Sequence, residues 1–300
     1  MNPNKYKNNS TAIGYISALV AAMLFGSVST MGKTALATID PLLLSSLVYL
    51  ISAATLTPLA HRAKFTFKKK DYLIVLATAV SGAAIAPSMY FFGLELTTAT
   101  DTALLANGEI AFSILLAMLF FKERLNLIGY LAVTMVLVGI IIVTTDIPFS
   151  SSIPVINLGN FLLILATVFW AIDNNLSKNI TYRVDVARLA QLKSLIGGSI
   201  LLLIVFLMGI SINIDATQLL YVFILGSVGF AASLYFFLQS LKRIGTVRTV
   251  LMFSMSSVFG LIFAILFLKE DIRIYQMGAI AIMISGIYLM TRDSNQSISD

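Results

Sequence analysis

Residues 107–123 read NGEIAFSILLAMLFFKE, an apolar run with a glutamate near each end. Glu123 stands between Lys122 and Arg124, where a chain can leave a hydrophobic phase. Glu109 stands among apolar residues, and a charged side chain at membrane depth costs about 2.5–3.5 kcal/mol on insertion scales. A helix needs roughly 20 mostly apolar residues to cross a bilayer. The stretch therefore predicts a membrane-spanning helix that holds a functional carboxylate.

The composition of the whole chain agrees with that prediction. Of 300 residues, 58% are hydrophobic and 11% are charged, whereas soluble domains carry about 25% charged residues. We therefore expect an all-α membrane protein. The chain has no cysteine and therefore no disulfides or thiolate chemistry. Its one histidine, His61, lies in a basic loop and leaves almost no scope for a histidine-based metal site. We expect no cofactor, no bound metal and no nucleic-acid partner.

Apolar runs separated by charged or turn-rich breaks predict ten transmembrane helices. Their expected bounds are 12–33, 41–60, 72–93, 102–121, 126–145, 158–178, 187–209, 217–240, 247–268 and 274–291. The longest break, DIPFSSSIPVIN at 146–157, carries two prolines and is the natural seam of the chain. With the N-terminus inside, 16 of the 20 lysines and arginines fall on the cytoplasmic side. Only Lys33, Lys269 and Arg273 fall outside, so both termini are predicted to be cytoplasmic in the cell membrane.

The two halves of the chain repeat each other. AFSILLAMLFFKERL at 111–125 resembles FGLIFAILFLKEDI at 259–272, and Tyr90-Phe91-Phe92 corresponds to Tyr235-Phe236-Phe237. We therefore expect one five-helix repeat in 1–150 and a second in 151–300. Because five is odd, the second repeat enters the membrane from the opposite side. Two inverted repeats around a central cavity are typical of secondary transporters, although channels also use them.

These residues resemble the EamA-type carriers of the drug/metabolite transporter (DMT) superfamily. The resemblance rests on Phe25-Gly26 with Lys33, on Phe169-Trp170-Ala171 with Lys178, and on the span exits FFKERL and FLKEDI. IDNNLSK at 172–178 resembles a pattern of one subgroup, which also carries a glutamate at the position of Glu109. Ile110 stands where many relatives have proline, so a proline-dependent break in the fourth helix is not expected.

The resemblance implies a carrier that exports or exchanges small metabolites, with no single substrate implied. It also implies a central cavity surrounded by the first, third, fourth, sixth, eighth and ninth helices, with the fifth and tenth packed outside.

Glu109 is the first candidate for the lining of that cavity. At about 100° per residue, Thr102, Ala106, Glu109 and Ser113 share one stripe of the fourth helix, and small polar neighbours indicate a cavity wall. We expect Glu109 to bind a cationic or hydrogen-bond-donating part of the substrate, or to carry a coupling proton or cation. The alternative is a hydrogen-bonding strut between helices.

Asp173 and Asn174 of the sixth helix are the next candidates. Asp173 shares a face with Ser177, while Asn174 and Asn175 turn roughly 100° and 200° away, so not all of them can face one cavity. We expect Asn175 to satisfy backbone groups or to contact a neighbouring helix instead. Lys193 lies about two turns into the seventh helix. It could pair with Asp173, because burying either charge alone is costly. We favour the alternative, in which its ammonium extends to the cytoplasmic interface.

Five uncharged polar and aromatic residues are further candidates for the lining of the pathway: Tyr90, Trp170, Tyr235, Gln239 and Ser257. The two tyrosines occupy matching positions of the repeat, so they are expected to face one cavity. Pro87 is expected to bend the third helix and to free a backbone carbonyl that the cavity could use. The exit residues Lys269-Glu270-Asp271 are interpreted as interfacial anchors and turn-making charge pairs.

These features favour a secondary transporter of small polar or amphipathic metabolites that works by alternating access. The alternative is a membrane channel or a ligand-binding membrane receptor on the same helical scaffold. An enzyme is not expected, because the sequence has no H-E-x-x-H, no G-x-S-x-G and no phosphate-binding loop.

The charge asymmetry yields a topology prediction that the chain's lack of cysteine makes easy to test. Single cysteines at Ser10, Thr66 and Ser151 would be exposed to a membrane-impermeant thiol reagent in intact cells. Only the cysteine at Ser151 should react, because the other two positions are predicted to lie in the cytoplasm. Labelling at Thr66 would contradict the predicted orientation, and lysed cells, in which all three should react, provide the control.

Overall fold

The computed structural model describes residues 3–61, 69–121, 127–145, 157–181 and 183–296. Within these ranges every regular element is a helix. The repeat boundary near residue 150, the basic loop at 62–68 and the exit at 122–124 lie outside them. The α-helices are α1 Pro3–Ala35, α2 Pro41–His61, α3 Lys69–Val80, α4 Ala86–Leu96, α5 Ala99–Leu105, α6 Gly108–Phe121, α7 Leu127–Thr145, α8 Leu158–Thr181, α9 Val186–Leu207, α10 Ala216–Ile224, α11 Ser233–Ile244, α12 Thr246–Phe253, α13 Met255–Phe263 and α14 Ile274–Gln296.

Among the residues that the structure describes, seven continuous helical segments are long and apolar enough to cross a membrane. They are Thr11–Ala35, Pro41–Ala60, Lys70–Leu96, Leu158–Thr181, Val186–Leu207, Ala216–Ile244 and Arg248–Leu268. Two shorter apolar helices, Leu127–Val143 and Ile274–Leu289, lie where the sequence predicts the fifth and tenth spans. These elements establish a multi-pass helical membrane fold, and the count of ten spans stays a prediction.

The fourth predicted span is not one helix, which corrects the expectation of an unbroken segment over 102–121. α5 ends at Leu105 and α6 begins at Gly108, with a turn between them. The amide of Asn107 bonds to the carbonyl of Leu104, and that of Glu109 to the carbonyl of Ala106, both at 3.1 Å. These bonds to the third preceding residue tighten the backbone. A corresponding break at Ser254 separates α12 from α13 in the second half.

Asn107 and Gly108 explain why the break occurs without a proline. Both residues are poorer helix formers than the apolar residues around them. A Cβ atom at Gly108 would lie 2.8 Å from Oγ1 of Thr167, so the glycine also lets α6 approach α8 closely.

Equivalent helices of the two halves make equivalent contacts. α2 packs against α9, and α7 packs against α14. α1 packs against α11 and α13, while its counterpart α8 packs against α4 and α6. Each half therefore contributes the same contacts to the bundle, and α1 and α8 occupy equivalent places in the two halves.

The third span contains a π-helical segment, Ser81–Ile85, just before Pro87. The amide of Ala86 bonds to the carbonyl of Ser81, five residues earlier. The next bond of this type would join Pro87 to Gly82, but proline has no N–H. The Gly82 carbonyl instead accepts hydrogen bonds from the Tyr49 hydroxyl at 2.9 Å and from Nε1 of Trp170 at 3.1 Å. The carbonyl expected to be freed by Pro87 is therefore present, and it ties three helices together.

Lys33, near the end of α1, forms hydrogen bonds that join α1 to the end of α4. The Lys33 ammonium donates to the carbonyls of Leu94, Glu95 and Thr97 at 2.8, 3.0 and 2.5 Å. A cation at the end of α4 is favourable, because the last carbonyls of a helix carry partial negative charge.

Glu270 caps the first two amides of α5, beside the N-cap residue Thr98, and this replaces the sequence interpretation of a turn-making charge pair. Its carboxylate accepts from the backbone amides of Ala99 and Thr100 at 2.9 and 2.8 Å, and from the Thr100 hydroxyl at 2.6 Å. The loop after the ninth predicted span is therefore attached to the start of the fourth.

Replacing Glu270 with alanine should destabilise the fold, because two amides and a hydroxyl would lose their acceptor. Loss of a helix cap costs about 0.5–2 kcal/mol. We expect the midpoint of unfolding by SDS in mixed micelles to fall for Glu270→Ala. The exposed neighbour Asp271 provides the control, since Asp271→Ala removes a carboxylate without removing the cap. Equal midpoints for the two variants would contradict the capping role.

Candidate functional site

Most of the charged groups buried within the spans line one cavity at the centre of the bundle. Its volume open to the centres of water molecules is about 60 Å³, and ~10–15 Å³ of such volume holds one water. The lining residues are Phe25, Tyr49, Gly82, Glu109, Trp170, Asp173, Asn174, Lys193, Phe230, Ser233, Leu234, Phe237 and Phe253. Both halves contribute, and none of these residues belongs to α7 or α14, which agrees with the expected outer position of the fifth and tenth spans.

Lys193 forms a buried ion pair with Asp173. The Lys193 ammonium contacts the Asp173 carboxylate, and the two side chains are 3% and 5% exposed. The preferred expectation of an interfacial Lys193 is therefore wrong. α9 turns this side chain towards α8 rather than along its own axis to the membrane surface.

Two neighbours complete the surroundings of Asp173. Its other carboxylate oxygen accepts a hydrogen bond from the Ser177 hydroxyl at 3.1 Å, as their shared helix face predicts. A Cβ atom at Gly82 would overlap the Asp173 carboxylate, so the third span must have glycine there for α8 to keep its position.

Glu109 and Asn174 form the second polar pair of the cavity. Nδ2 of Asn174 donates to Oε1 of Glu109, and both residues are buried. The break before α6 places Glu109 in the first turn of that helix, where the partial positive charge of the N-terminus favours a carboxylate. Across the described ranges, no ion pair reaches Glu109. Glu109 therefore differs from Asp173, which has a cation beside it.

Asn175 points away from this pair, as expected. Its Nδ2 donates to the carbonyl of Ser113 on α6 at 3.1 Å and to that of Ala171 at 2.9 Å. The two consecutive asparagines therefore have different roles: Asn174 lines the cavity, and Asn175 joins α8 to α6.

Aromatic rings form the apolar wall of the cavity. Phe25 lies at its centre, with ring centroids 5.7 Å from Trp170, 5.9 Å from Phe230 and 5.2 Å from Phe253. Trp170 is held in place because its Nε1 bonds to the Gly82 carbonyl. The wall therefore presents ring faces and edges to anything that enters beside the polar pairs.

The structure does not bring Tyr90 and Tyr235 together in the central cavity. Tyr90 lies behind Trp170, at a centroid distance of 5.2 Å, and lines a smaller hollow with Gly26 and Ser29. Tyr235 is half-buried and accepts a hydrogen bond from Nε2 of Gln239 at 3.2 Å. α11 turns Ser233, Leu234 and Phe237 to the cavity instead. A role for these tyrosines in a pathway stays a prediction.

Ser257 and Tyr49 are placed differently from the sequence prediction. Ser257 lines a separate cavity between α13 and α14, because the break at Ser254 changes the direction of the helix face. Tyr49, from the second predicted span, lines the central cavity, although that span was not expected to contribute. Ser45, Tyr49 and Ser52 stand at i, i+4 and i+7, so a polar stripe on this span could have indicated the position.

Comparison with known proteins agrees with the geometry. The EamA-like transporter family matches residues 12–145 and, a second time, residues 157–292. An "uncharacterized transporter" of Methanothermobacter thermautotrophicus is 31% identical over 293 residues, which cover 92% of this chain and 85% of that protein. A second "uncharacterized transporter", from Clostridium kluyveri, is 25% identical over 307 residues, which cover 96% of this chain and 95% of that protein.

A solved crystal structure shares the fold. It superposes with a TM-score of 0.69 at 18% identity and covers 95% of this chain and 96% of its own. The double family match and the helical bundle around a charged cavity lead to one conclusion: this chain belongs to the EamA-like transporter family and is a multi-pass membrane transporter.

Proposed function

We propose that this protein is a secondary transporter that exports or exchanges a small polar or amphipathic metabolite by alternating access. One observation carries the proposal: a cavity with two carboxylates, an amide and an ammonium lies inside a bundle of apolar helices. Charged groups at that depth are costly to insert and mark substrate or ion pathways. The working location is the cell membrane, with both termini in the cytoplasm.

The cavity suits a substrate that is polar at one end and apolar at the other. Glu109 and Asn174 offer hydrogen-bond acceptors and donors on one side, while Phe25, Trp170 and Phe253 offer ring faces on the other. Such walls with a few fixed polar groups are typical of small-molecule sites.

Glu109 is the carboxylate that is free to act on the substrate. Asp173 is neutralised by Lys193, whereas the partner of Glu109 is an uncharged amide. Glu109 therefore binds a cationic or hydrogen-bond-donating group of the substrate, or carries a coupling proton. Asp173, expected to act as a second carboxylate, instead orients the site through its ion pair.

The equivalent helix contacts made by the two halves support alternating access. If the repeats are inverted, the two halves can exchange conformations, so that the same cavity opens first to one side and then to the other. Lys33 and Glu270 join helices at one end of the bundle, so these bonds must break whenever that end opens.

Counterflow in proteoliposomes tests the function directly. The purified protein is reconstituted in vesicles loaded with fractionated metabolite extract, and uptake of labelled extract compounds is followed by mass spectrometry. A carrier gives saturable uptake that requires internal substrate. Conductance without saturation would favour a channel, and binding without any flux would favour a receptor, so either result would overturn the proposal.

Glu109→Gln separates the two roles of Glu109 from simple packing, because glutamine keeps the shape and the hydrogen bond but cannot carry charge or a proton. We expect at least a tenfold fall in gradient-driven accumulation. If Glu109 binds substrate charge, exchange should fall equally, whereas exchange should persist if Glu109 carries the coupling proton. The exposed Glu95 gives the matched control, Glu95→Gln. Wild-type accumulation and exchange in Glu109→Gln would show that Glu109 is only a strut.

The ion pair should behave as a unit in a double-mutant cycle. Lys193→Met leaves the Asp173 carboxylate buried without a cation, which costs about 3–5 kcal/mol. Asp173→Asn in the same chain removes that unpaired charge and should restore most of the lost stability. Unfolding by SDS in mixed micelles measures each variant, with Lys242→Met at an exposed position as the control. Additive effects of the two substitutions would show that the two groups do not interact.

A further inference from the structure

A second cavity lies between the two broken spans and α14, and the transport mechanism does not use it. It shares no lining residue with the central cavity, and its volume is also about 60 Å³. Asn107 of the α5–α6 turn and Ser257 of α13 line it on one side, while Met283 and Ile284 of α14 line it on the other.

Two buried polar atoms in this cavity have no partner within the described part of the chain. They are Oδ1 of Asn107 and Oγ of Ser257, whose residues are 4% and 3% exposed. The amide nitrogen of Asn107 is occupied, at 3.7 Å from the sulfur of Met283, so the amide orientation leaves the oxygen unpaired. An unsatisfied buried polar group costs about 1–3 kcal/mol. Both atoms therefore favour a bound group that can donate and accept a hydrogen bond.

The rest of the cavity is apolar and reaches the outer surface of the bundle. Leu104, Val258 and Leu261 form its inner wall. Met255 and Ile284, which also line it, are 38% and 49% exposed. On a membrane-spanning bundle this outer surface meets lipid, so the cavity is accessible to molecules dissolved in the bilayer.

We propose that this cavity binds an uncharged amphiphile from the bilayer through one hydroxyl group. The hydroxyl donates to Oδ1 of Asn107 and accepts from Oγ of Ser257, and its alkyl chain lies along Leu261 and Ile284. Phosphates, carboxylates and ammonium groups are disfavoured, because none of the described residues that line the cavity is charged. The site is independent of the transported substrate and would stand if the proposed transport failed.

Photolabelling with an alcohol tests the proposal. The full-length protein in lipid nanodiscs is irradiated with a diazirine analogue of octanol, and the adducts are located by mass spectrometry. We expect adducts on the α13 and α14 residues that line the cavity. Competition by 1-octanol should be at least fivefold stronger than competition by octane, because only the alcohol can bond to both polar atoms.

Ser257→Ala is the informative variant, because it removes one hydrogen-bonding atom and leaves the apolar walls intact. It should abolish the preference for octanol over octane while some labelling persists. Ser285→Ala serves as the control, since that exposed hydroxyl of α14 bonds to the carbonyl of Ala281 on its own helix at 2.7 Å. The melting temperature of each variant shows whether it is folded.

Three results would overturn the proposal. Labelling spread evenly over the lipid-facing surface would show apolar partition only, and an unlabelled cavity would show that it holds nothing larger than water. An octanol preference that survives in Ser257→Ala would show that the hydroxyl does not take part.

Discussion

The ion pair between Lys193 and Asp173 is the interaction on which the arrangement of the central helices depends. Burying either charge without the other would be costly, because a close partner of opposite charge offsets the cost of desolvation. The pair therefore fixes the rotation of α8 against α9. With α8 held in that rotation, Asn174 faces Glu109 and Asn175 faces the backbone of α6.

The same requirement explains the third span. Pro87 leaves the Gly82 carbonyl without its backbone donor, and a bare carbonyl within a membrane is costly. Tyr49 and Trp170 supply the missing donors, and Trp170 thereby becomes a fixed part of the aromatic wall. Gly82 also lacks the Cβ atom that would displace Asp173. One irregular turn thus positions a polar group and an aromatic group of the site together.

The fourth and ninth predicted spans each contribute residues to both cavities. Glu109 lines the central cavity, while Asn107, two residues earlier and therefore on the opposite side of the helix, faces α14. Phe253 lines the central cavity and Ser257 lines the second one, although a straight helix would place these residues on one stripe; the break at Ser254 lies between them. Residues of one span can therefore serve different ligands. The central site is charged and suited to transport, whereas the second is uncharged and open to the bilayer.

The sequence by itself determined the membrane class, the apolar segments, the family and the charged residues of the site. Hydropathy and the high cost of burying charge are local properties, so Glu109 and Asp173 could be identified from their neighbours alone. Only the tertiary structure decided which groups meet. Lys193 could reach either the interface or Asp173, and the choice depends on the rotation of α9. Tyr49 lies on a stripe with Ser45 and Ser52, and Asn107 precedes a glycine, but these local signals do not specify a role. The roles follow from a carbonyl freed on another helix and from a turn that no proline marks. Which polar groups pair within the membrane depends on how the helices pack, and the pattern of residues along the sequence does not specify that packing.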